Sequence, residues 1–309
     1  MQPTPDYGTL GPNSDIRAGA PIRPQGRSMA WLAVLAGVLL GLATLKVGSL
    51  QETWQHAPDF LAAAMQPRAR STSSYRSPRN TAMQQQADAA LQAAMGHQPG
   101  ANERIAEQVD GWRGHIVFNQ ELRTRLTVAL DSDDLAVRES AIEVELAAYN
   151  VAKTPEAVDL MVRNADSRDQ ATRIWALWTL GLLGNRGVET ERVVAVLAGH
   201  LKDNDIESRH WAVEGLALVG TDATIEPLLR TFHDDPSVMV RERAACSLAQ
   251  SGMLRPEQRR TVIPQILNYT DDLKLDNATH MFAFHALRDI TGQNLPNDAE
   301  TWREWYGRQ

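Results

Sequence analysis

The chain has 309 residues, of which 43% are hydrophobic and 6% aromatic, and its formal net charge is −7. The charge is uneven, since residues 101–309 hold 33 acidic and 23 basic side chains, whereas residues 1–100 hold 5 acidic and 8 basic. An acidic C-terminal part argues against nucleic-acid binding, which needs a cationic surface. The single cysteine, Cys246, excludes an internal disulfide or a zinc site built from cysteines.

The N-terminal part of the chain predicts a tail followed by a membrane anchor. Residues 1–28 are rich in proline and glycine, which predicts a disordered tail. Residues 29–45 carry no charge, and because Lys46 can snorkel, the apolar stretch extends over residues 29–50. A bilayer core needs ~20 residues, more than the ~7–15 of a signal-peptide core. We therefore predict an uncleaved transmembrane signal anchor at residues 29–50; the alternative is a buried core helix.

The arginines around this segment predict its orientation. Arg17, Arg23 and Arg27 precede it, whereas the next basic residue after Lys46 is Arg68. By the positive-inside rule, the N-terminus stays in the cytoplasm and the rest of the chain is exported. We expect a single-pass protein of a bacterial-type inner membrane, with its C-terminal part in the periplasm. Further arginines, which begin 18 residues beyond the span, weaken this orientation.

The region after the span predicts a linker and then a repeat domain. Residues 51–101 include a basic, serine-rich stretch and predict a juxtamembrane linker with short helices. Within it, residues 81–95 are rich in alanine and glutamine and predict an isolated helix. Residues 102–309 predict one helical domain, whose first two helices, at 102–110 and 119–130, form its N-terminal cap.

A motif repeats through this domain. At four positions spaced 32 to 36 residues apart, an arginine is followed three residues later by alanine. In three of these units, leucine follows seven residues and glycine eleven residues after the arginine. A fifth unit starts at His280 instead. Because the starts lie 32 to 39 residues apart, the pattern is typical of a helical repeat array. The four arginines that start the units are Arg138, Arg173, Arg209 and Arg241.

Each unit predicts a pair of helices. The first carries the motif, begins after an acidic cap signal, and ends at a glycine expected to be left-handed. The cap signals are Asp131-Ser132, Asp166-Ser167, Asp203-Asn204, Asp234-Asp235 and Asp271-Asp272. The second helices are predicted near residues 155–164, 189–201, 223–232 and 256–269. Residues 298–306 predict a helix that caps the C-terminal end of the array.

These units resemble HEAT-like repeats, in particular the subclass named after phycobilisome lyases. The residues that carry the resemblance are Asp234-Asp235-Pro236, Val240-Arg241, Ala244, Leu248 and Gly252, with their counterparts in the other units. The resemblance implies an all-α fold, a right-handed α-solenoid of about five HEAT-like helix pairs, here preceded by one transmembrane helix. The family holds scaffolds, adaptors and a few enzymes, so the resemblance is specific for the fold.

Motifs for catalysis or metal binding are missing from the sequence. A His-Glu dipeptide occurs nowhere, which excludes a His-Glu-x-x-His metalloprotease helix and separates the chain from the iron hydroxylases built on HEAT repeats. There is no Gly-rich phosphate loop and no Gly-x-Ser-x-Gly elbow. We predict no catalytic, metal or cofactor site. Hydrolysis by paired carboxylates stays open, although the repeated cap positions explain the aspartate pairs structurally.

Two surfaces are candidates for binding a protein partner. Second helices line the concave side of such a solenoid, and an acidic or mixed-charge segment could bind Arg230, Arg259 and Arg260 there; the alternative is a solvated polar face. Trp175 and Trp211 each follow a motif arginine by two residues and could form an aromatic ladder for a partner, the alternative being packing between first helices. The candidate exposed positions of the concave side are Arg163, Arg192, His200, Lys202, Arg230, His233, Arg259 and Arg260.

The charged residues of the motif predict ties between units. Each arginine is expected to pair with the acidic cap of its own or the next unit. The cap aspartates could instead form an acidic ridge for a basic partner segment, but N-capping explains them more simply. The sequence therefore predicts a membrane-tethered protein–protein interaction scaffold. The alternatives are a bilin-lyase-like or other enzyme on a HEAT-repeat scaffold, and a structural or assembly factor of an envelope complex.

Overall fold

A computed structural model describes residues 77–309, which form fourteen α-helices and no strand. The helices are α1 (Pro78–Met95), α2 (Ala101–Trp112), α3 (Gln120–Leu130), α4 (Leu135–Ala148), α5 (Pro155–Ala165), α6 (Gln170–Asn185), α7 (Thr190–His200), α8 (Ile206–Val219), α9 (Asp222–Asp234), α10 (Val238–Cys246), α11 (Pro256–Thr261), α12 (Ile263–Tyr269), α13 (Asn277–Thr291) and α14 (Ala299–Tyr306). This part of the chain is an all-helical repeat array, as the sequence predicts.

The helices alternate between the two classes that the repeat predicts. The first helices, α4, α6, α8, α10 and α13, carry the five motif starts, and the second helices lie at the predicted places. The predicted helix at 256–269 is divided at Val262 into α11 and α12, because Pro264 has no N–H to donate and suits only a first turn. After Cys246, α10 continues as a π-helical turn, Ser247–Ser251.

The N-caps lie a few residues beyond the predicted cap signals. Asp134, Asp169, Asp205 and Asp276 cap α4, α6, α8 and α13 by accepting backbone N–H bonds. The predicted positions are wrong because the earlier residues shape the loop instead: in the first two loops a serine hydroxyl, that of Ser132 or Ser167, accepts the N–H of the capping aspartate.

Glycines set how closely the first helices pack. A Cβ on Gly181 would lie 2.7 Å from the backbone of Gly215, so α6 and α8 are in backbone contact. Gly220 has φ +65° and ends α8 in the left-handed conformation, as predicted. The same prediction is wrong for Gly184, which lies inside α6, and for Gly252, which is extended.

Helix α1 is not isolated but packs into the array. Ala87 and Leu91 are fully buried, and Gln86 accepts the indole N–H of Trp112 on α2 at 3.2 Å. Residues 81–95, predicted as an isolated linker helix, therefore extend the N-terminal cap. At the other end, α14 caps the array as predicted, with Trp302 fully buried.

The predicted tail, anchor and first part of the linker, residues 1–28, 29–50 and 51–76, lie outside the described residues. Within residues 77–309, none of the helices is both long enough and apolar enough to span a membrane.

Candidate partner-binding surfaces

Three motif arginines tie neighbouring units together. Arg173 donates to the carboxylate of Asp205 in the next unit at 2.6 Å, and Arg241 donates to that of Asp276 at 2.5 Å. Arg209 donates twice to Asp235, at 2.8 and 3.2 Å. Each of the three also donates to the carbonyl oxygen six residues before it, in its own loop. The predicted tie to an acidic residue of the next unit is confirmed for these three arginines.

Arg138, the first motif arginine, makes a different contact. Its Nε donates to the Ser132 carbonyl, which repeats the bond to its own loop. Its Nη1, however, donates to the carbonyl oxygens of Gln250 at 3.1 Å and Gly252 at 3.0 Å, at the end of the π-helical turn. Arg138 therefore binds the fourth unit, although its place in the repeat predicts a bond to the second.

A groove of about 780 Å³ lies between the second helices α7 and α9. Its apolar lining comes from Ala195 and Ala198 of α7, Leu201 of the following loop and Pro227 of α9. Arg209 and Asp235, paired and buried, also line it. The groove combines an apolar surface with charged side chains, which suits an extended or helical protein segment.

The charges of the groove are partly neutralised within the protein. Arg230 pairs with Glu226 on its own helix, and both are largely exposed. Asp203 accepts a bond from the ring of His200 at 2.9 Å. Lys202 is exposed and takes part in none of the ion pairs found among residues 77–309. Lys202 and Arg230 are therefore the cations of this groove that a partner can reach.

The other predicted basic positions differ in what they contact. Arg163 and Arg260 are exposed. Arg192 is exposed but pairs with Asp159 of α5 at 2.7 Å. His233 is half-buried and lies 3.1 Å from Asp272. These contacts link second helices and loops of neighbouring units, so the face is partly occupied by the array's own ion pairs.

Arg259, a predicted binding residue, is half-buried, and its guanidinium is bonded within the array. Its guanidinium donates to the carbonyl oxygens of Ala249, Gln250, Gly252 and Leu254, in and after the π-helical turn. Burial, followed by the proximity of Arg138, lowers its pKa to about 10. Two guanidinium groups thus converge on the same turn, whose carbonyls lack the regular helical bonds.

The predicted tryptophan ladder is not an exposed surface. Trp211 is 6% exposed and packs edge-on against Trp178, with ring centroids 5.8 Å apart. This is the predicted alternative, packing between adjacent first helices. Trp175 is partly buried against the core, and its indole N–H has no acceptor among the described residues. Trp175 and Trp211 therefore do not form one exposed aromatic surface.

Buried charged residues on the first helices were not predicted. Glu214 on α8 binds Arg243 on α10 at 2.5 and 2.7 Å, with His210 3.5 Å away, and all three are buried. Burial lowers the pKa of His210. Glu145 on α4 accepts the indole N–H of Trp178 at 3.0 Å, and its burial raises its pKa to about 7. The repeat carries a signal for Glu145, which lies seven residues after Arg138, where the other three units have leucine. His210, Glu214 and Arg243 lie at positions that the motif does not specify, so the repeat cannot reveal them.

A protein-family model matches part of the repeat array. A family model described as HEAT repeats matches residues 165–249, which spans α6 to α10. No curated protein matches the chain. The narrower resemblance to phycobilisome lyases stays a prediction. Among residues 77–309, no group of three or more histidine, cysteine, aspartate or glutamate side chains is placed to hold a metal ion.

Solved repeat structures are also similar to parts of the chain. A designed armadillo repeat protein in complex with the peptide (KR)4 is 14% identical, with 70% of this chain and 100% of that one covered and a TM-score of 0.34. An engineered protein is 17% identical, with 76% and 97% covered and a TM-score of 0.33. A second designed armadillo repeat protein is 15% identical, with 76% and 99% covered and a TM-score of 0.31.

Proposed function

We propose that the chain is a membrane-tethered scaffold that holds a segment of a partner protein in the groove between α7 and α9. The observation that carries the proposal is the groove itself, which is about 780 Å³ and joins an apolar lining to reachable charges. A helical repeat fold is typical of interaction scaffolds, because stacked units build an extended surface rather than one enclosed pocket. The proposed role is binding, not catalysis.

The charges of the groove suggest the chemistry of the partner. Lys202 offers a cation for a carboxylate, and Arg230 offers a second one in competition with Glu226. Asp234 lines the same groove, and its side chain is 62% exposed, so it can receive a basic group. An acidic or mixed-charge segment with apolar side chains toward Ala198 and Leu201 fits this arrangement.

A charge-reversal experiment tests the groove. Lys202→Glu combined with Arg230→Glu should remove a partner that co-purifies with the full-length chain from detergent-solubilised membranes. The matched control is Arg260→Glu with Arg308→Glu, which changes the net charge equally at exposed positions outside the groove. Arg308 also has a glutamate four residues before it on the chain, as Arg230 has. Equal retention by both double variants would contradict binding in the groove.

The tether rests on the sequence of residues 29–50, an apolar stretch of the length that spans a bilayer. Deleting residues 28–50 should release a folded, helical protein into the soluble fraction, because α1 to α14 form their own core. Sedimentation with membranes after a high-salt wash would contradict the anchor. A reporter active only outside the cytoplasm, fused after Gln309, should be active if the array faces the periplasm.

A further inference from the structure

Two of the ties between units bind their arginine in the same way, through an aspartate and a hydroxyl side chain. An aspartate caps the first helix, and a hydroxyl residue three positions later bonds to the same aspartate. Asp276 accepts the backbone N–H of Thr279 at 2.8 Å and its hydroxyl at 2.7 Å. Arg241 then donates to Asp276 at 2.5 Å and to the Thr279 hydroxyl at 2.8 Å. The pair thus presents two acceptors to one guanidinium.

The same geometry recurs between α6 and α8. Asp205 accepts the Ser208 hydroxyl at 2.9 Å, and Arg173 donates to Asp205 and to Ser208, both at 2.6 Å. Two independent pairs of this kind in one chain therefore bind an arginine through the carboxylate and the hydroxyl together.

A third pair of the same kind begins α6 on an exposed surface. Asp169 accepts the backbone N–H of Thr172 at 2.8 Å and its hydroxyl at 2.6 Å, distances close to those of Asp276 and Thr279. These hydrogen bonds with Thr172 lower the pKa of Asp169, so it is ionised at neutral pH. Arg138, the arginine that the repeat places before this pair, donates instead to the carbonyls of Gln250 and Gly252.

We propose that Asp169 and Thr172 bind an arginine side chain supplied by a basic segment of a partner protein. The internal comparison identifies the ligand, because the equivalent pairs elsewhere in the array hold a guanidinium. Trp175 lies one turn further along α6, and an indole ring can stack on a guanidinium plane. The acidic character of residues 101–309 favours the approach of a basic segment. This surface lies outside the groove and does not depend on the proposed function.

The test uses the full-length chain in a non-ionic detergent with two labelled probes, hexa-arginine and hexa-lysine, followed by fluorescence anisotropy. Wild type should bind hexa-arginine more tightly, because lysine cannot donate to the carboxylate and the hydroxyl with one planar group. Asp169→Asn keeps an N-cap residue but removes the charge, and it should weaken hexa-arginine binding about fivefold. Trp175→Leu should weaken it by a similar factor of about three to five.

The matched control is Asp134→Asn, which removes the same charge from another N-cap aspartate, that of α4, where the residue three positions later is Val137 and offers no hydroxyl. It should leave the preference for hexa-arginine unchanged. Equal weakening of both probes by Asp169→Asn, or equal effects of the two asparagine variants, would overturn the proposal. Tighter hexa-arginine binding after Arg68, Arg70 and Arg76 are replaced by glutamine would show that the chain's own basic segment is the occupant, which would also overturn it.

Discussion

Arg209 holds the carboxylate of Asp235 through two hydrogen bonds, from Nε at 2.8 Å and from Nη2 at 3.2 Å, and both residues are buried. The pair joins the unit of α8 to the unit of α10. Removing one member leaves the other charge buried without a partner, which costs far more than losing an exposed pair.

Arg209→Met should therefore lower the free energy of unfolding by about 3–5 kcal/mol. Arg303→Met is the control, since Arg303 pairs with Asp271 while both side chains are 44% and 50% exposed, and it should cost less than about 1 kcal/mol. Chemical denaturation measures both. Adding Asp235→Leu to Arg209→Met should recover part of the loss, and a further loss would contradict this account.

Gly181→Ala should destabilise the array because its Cβ would meet the Gly215 backbone at 2.7 Å, where no side chain can move aside. We expect a loss of about 1–3 kcal/mol or more. Gly199→Ala in α7 is the matched control, because a Cβ there has no atom within 4 Å, and it should be neutral or stabilising by up to about 1 kcal/mol. Equal melting temperatures for the two variants would contradict the close crossing of α6 and α8.

Arg259→Gln should lower stability by about 2–3 kcal/mol, because carbonyls of the π-helical turn lose their charged donor. Arg260→Gln, the adjacent exposed residue, should change stability by less than about 0.5 kcal/mol. Thermal unfolding followed by circular dichroism compares them. If the two variants unfold alike, the bonds from Arg259 to the turn do not stabilise the array, and Arg259 stays a candidate for binding a partner.

Glu145→Gln should stabilise the protein at neutral and alkaline pH but not at acid pH. Burial raises the pKa of Glu145 from 4.5 to about 7, so ionisation opposes folding once the unfolded state begins to lose its proton. The difference in unfolding free energy between variant and wild type should be small below pH 4.5. It should grow as the pH rises to 7 and reach about 3 kcal/mol above that. A difference that does not change with pH would show that folding does not raise the pKa of Glu145.

Local patterns in the sequence determined the helices, their order and three of the ties between units. The Arg–Ala motif and the capping aspartates act within one helix and its adjoining loop, and stacking of similar units brings Arg173 to Asp205 at nearly the same offset as Arg241 to Asp276. Such features follow from spacing, because each unit repeats the same local geometry.

Only the tertiary structure decided which motif residues depart from this rule. Arg138 and Arg259 converge on one turn although they lie in units far apart in sequence, and Trp211 turns into the core against Trp178. These positions depend on how whole helices cross, and for α6 and α8 the crossing brings the backbones of Gly181 and Gly215 into contact. A repeat motif specifies the local structure of each unit, its helices and their loops. The packing between units decides which of its side chains remain exposed, and so leaves Asp169 at the surface while Asp235 is buried.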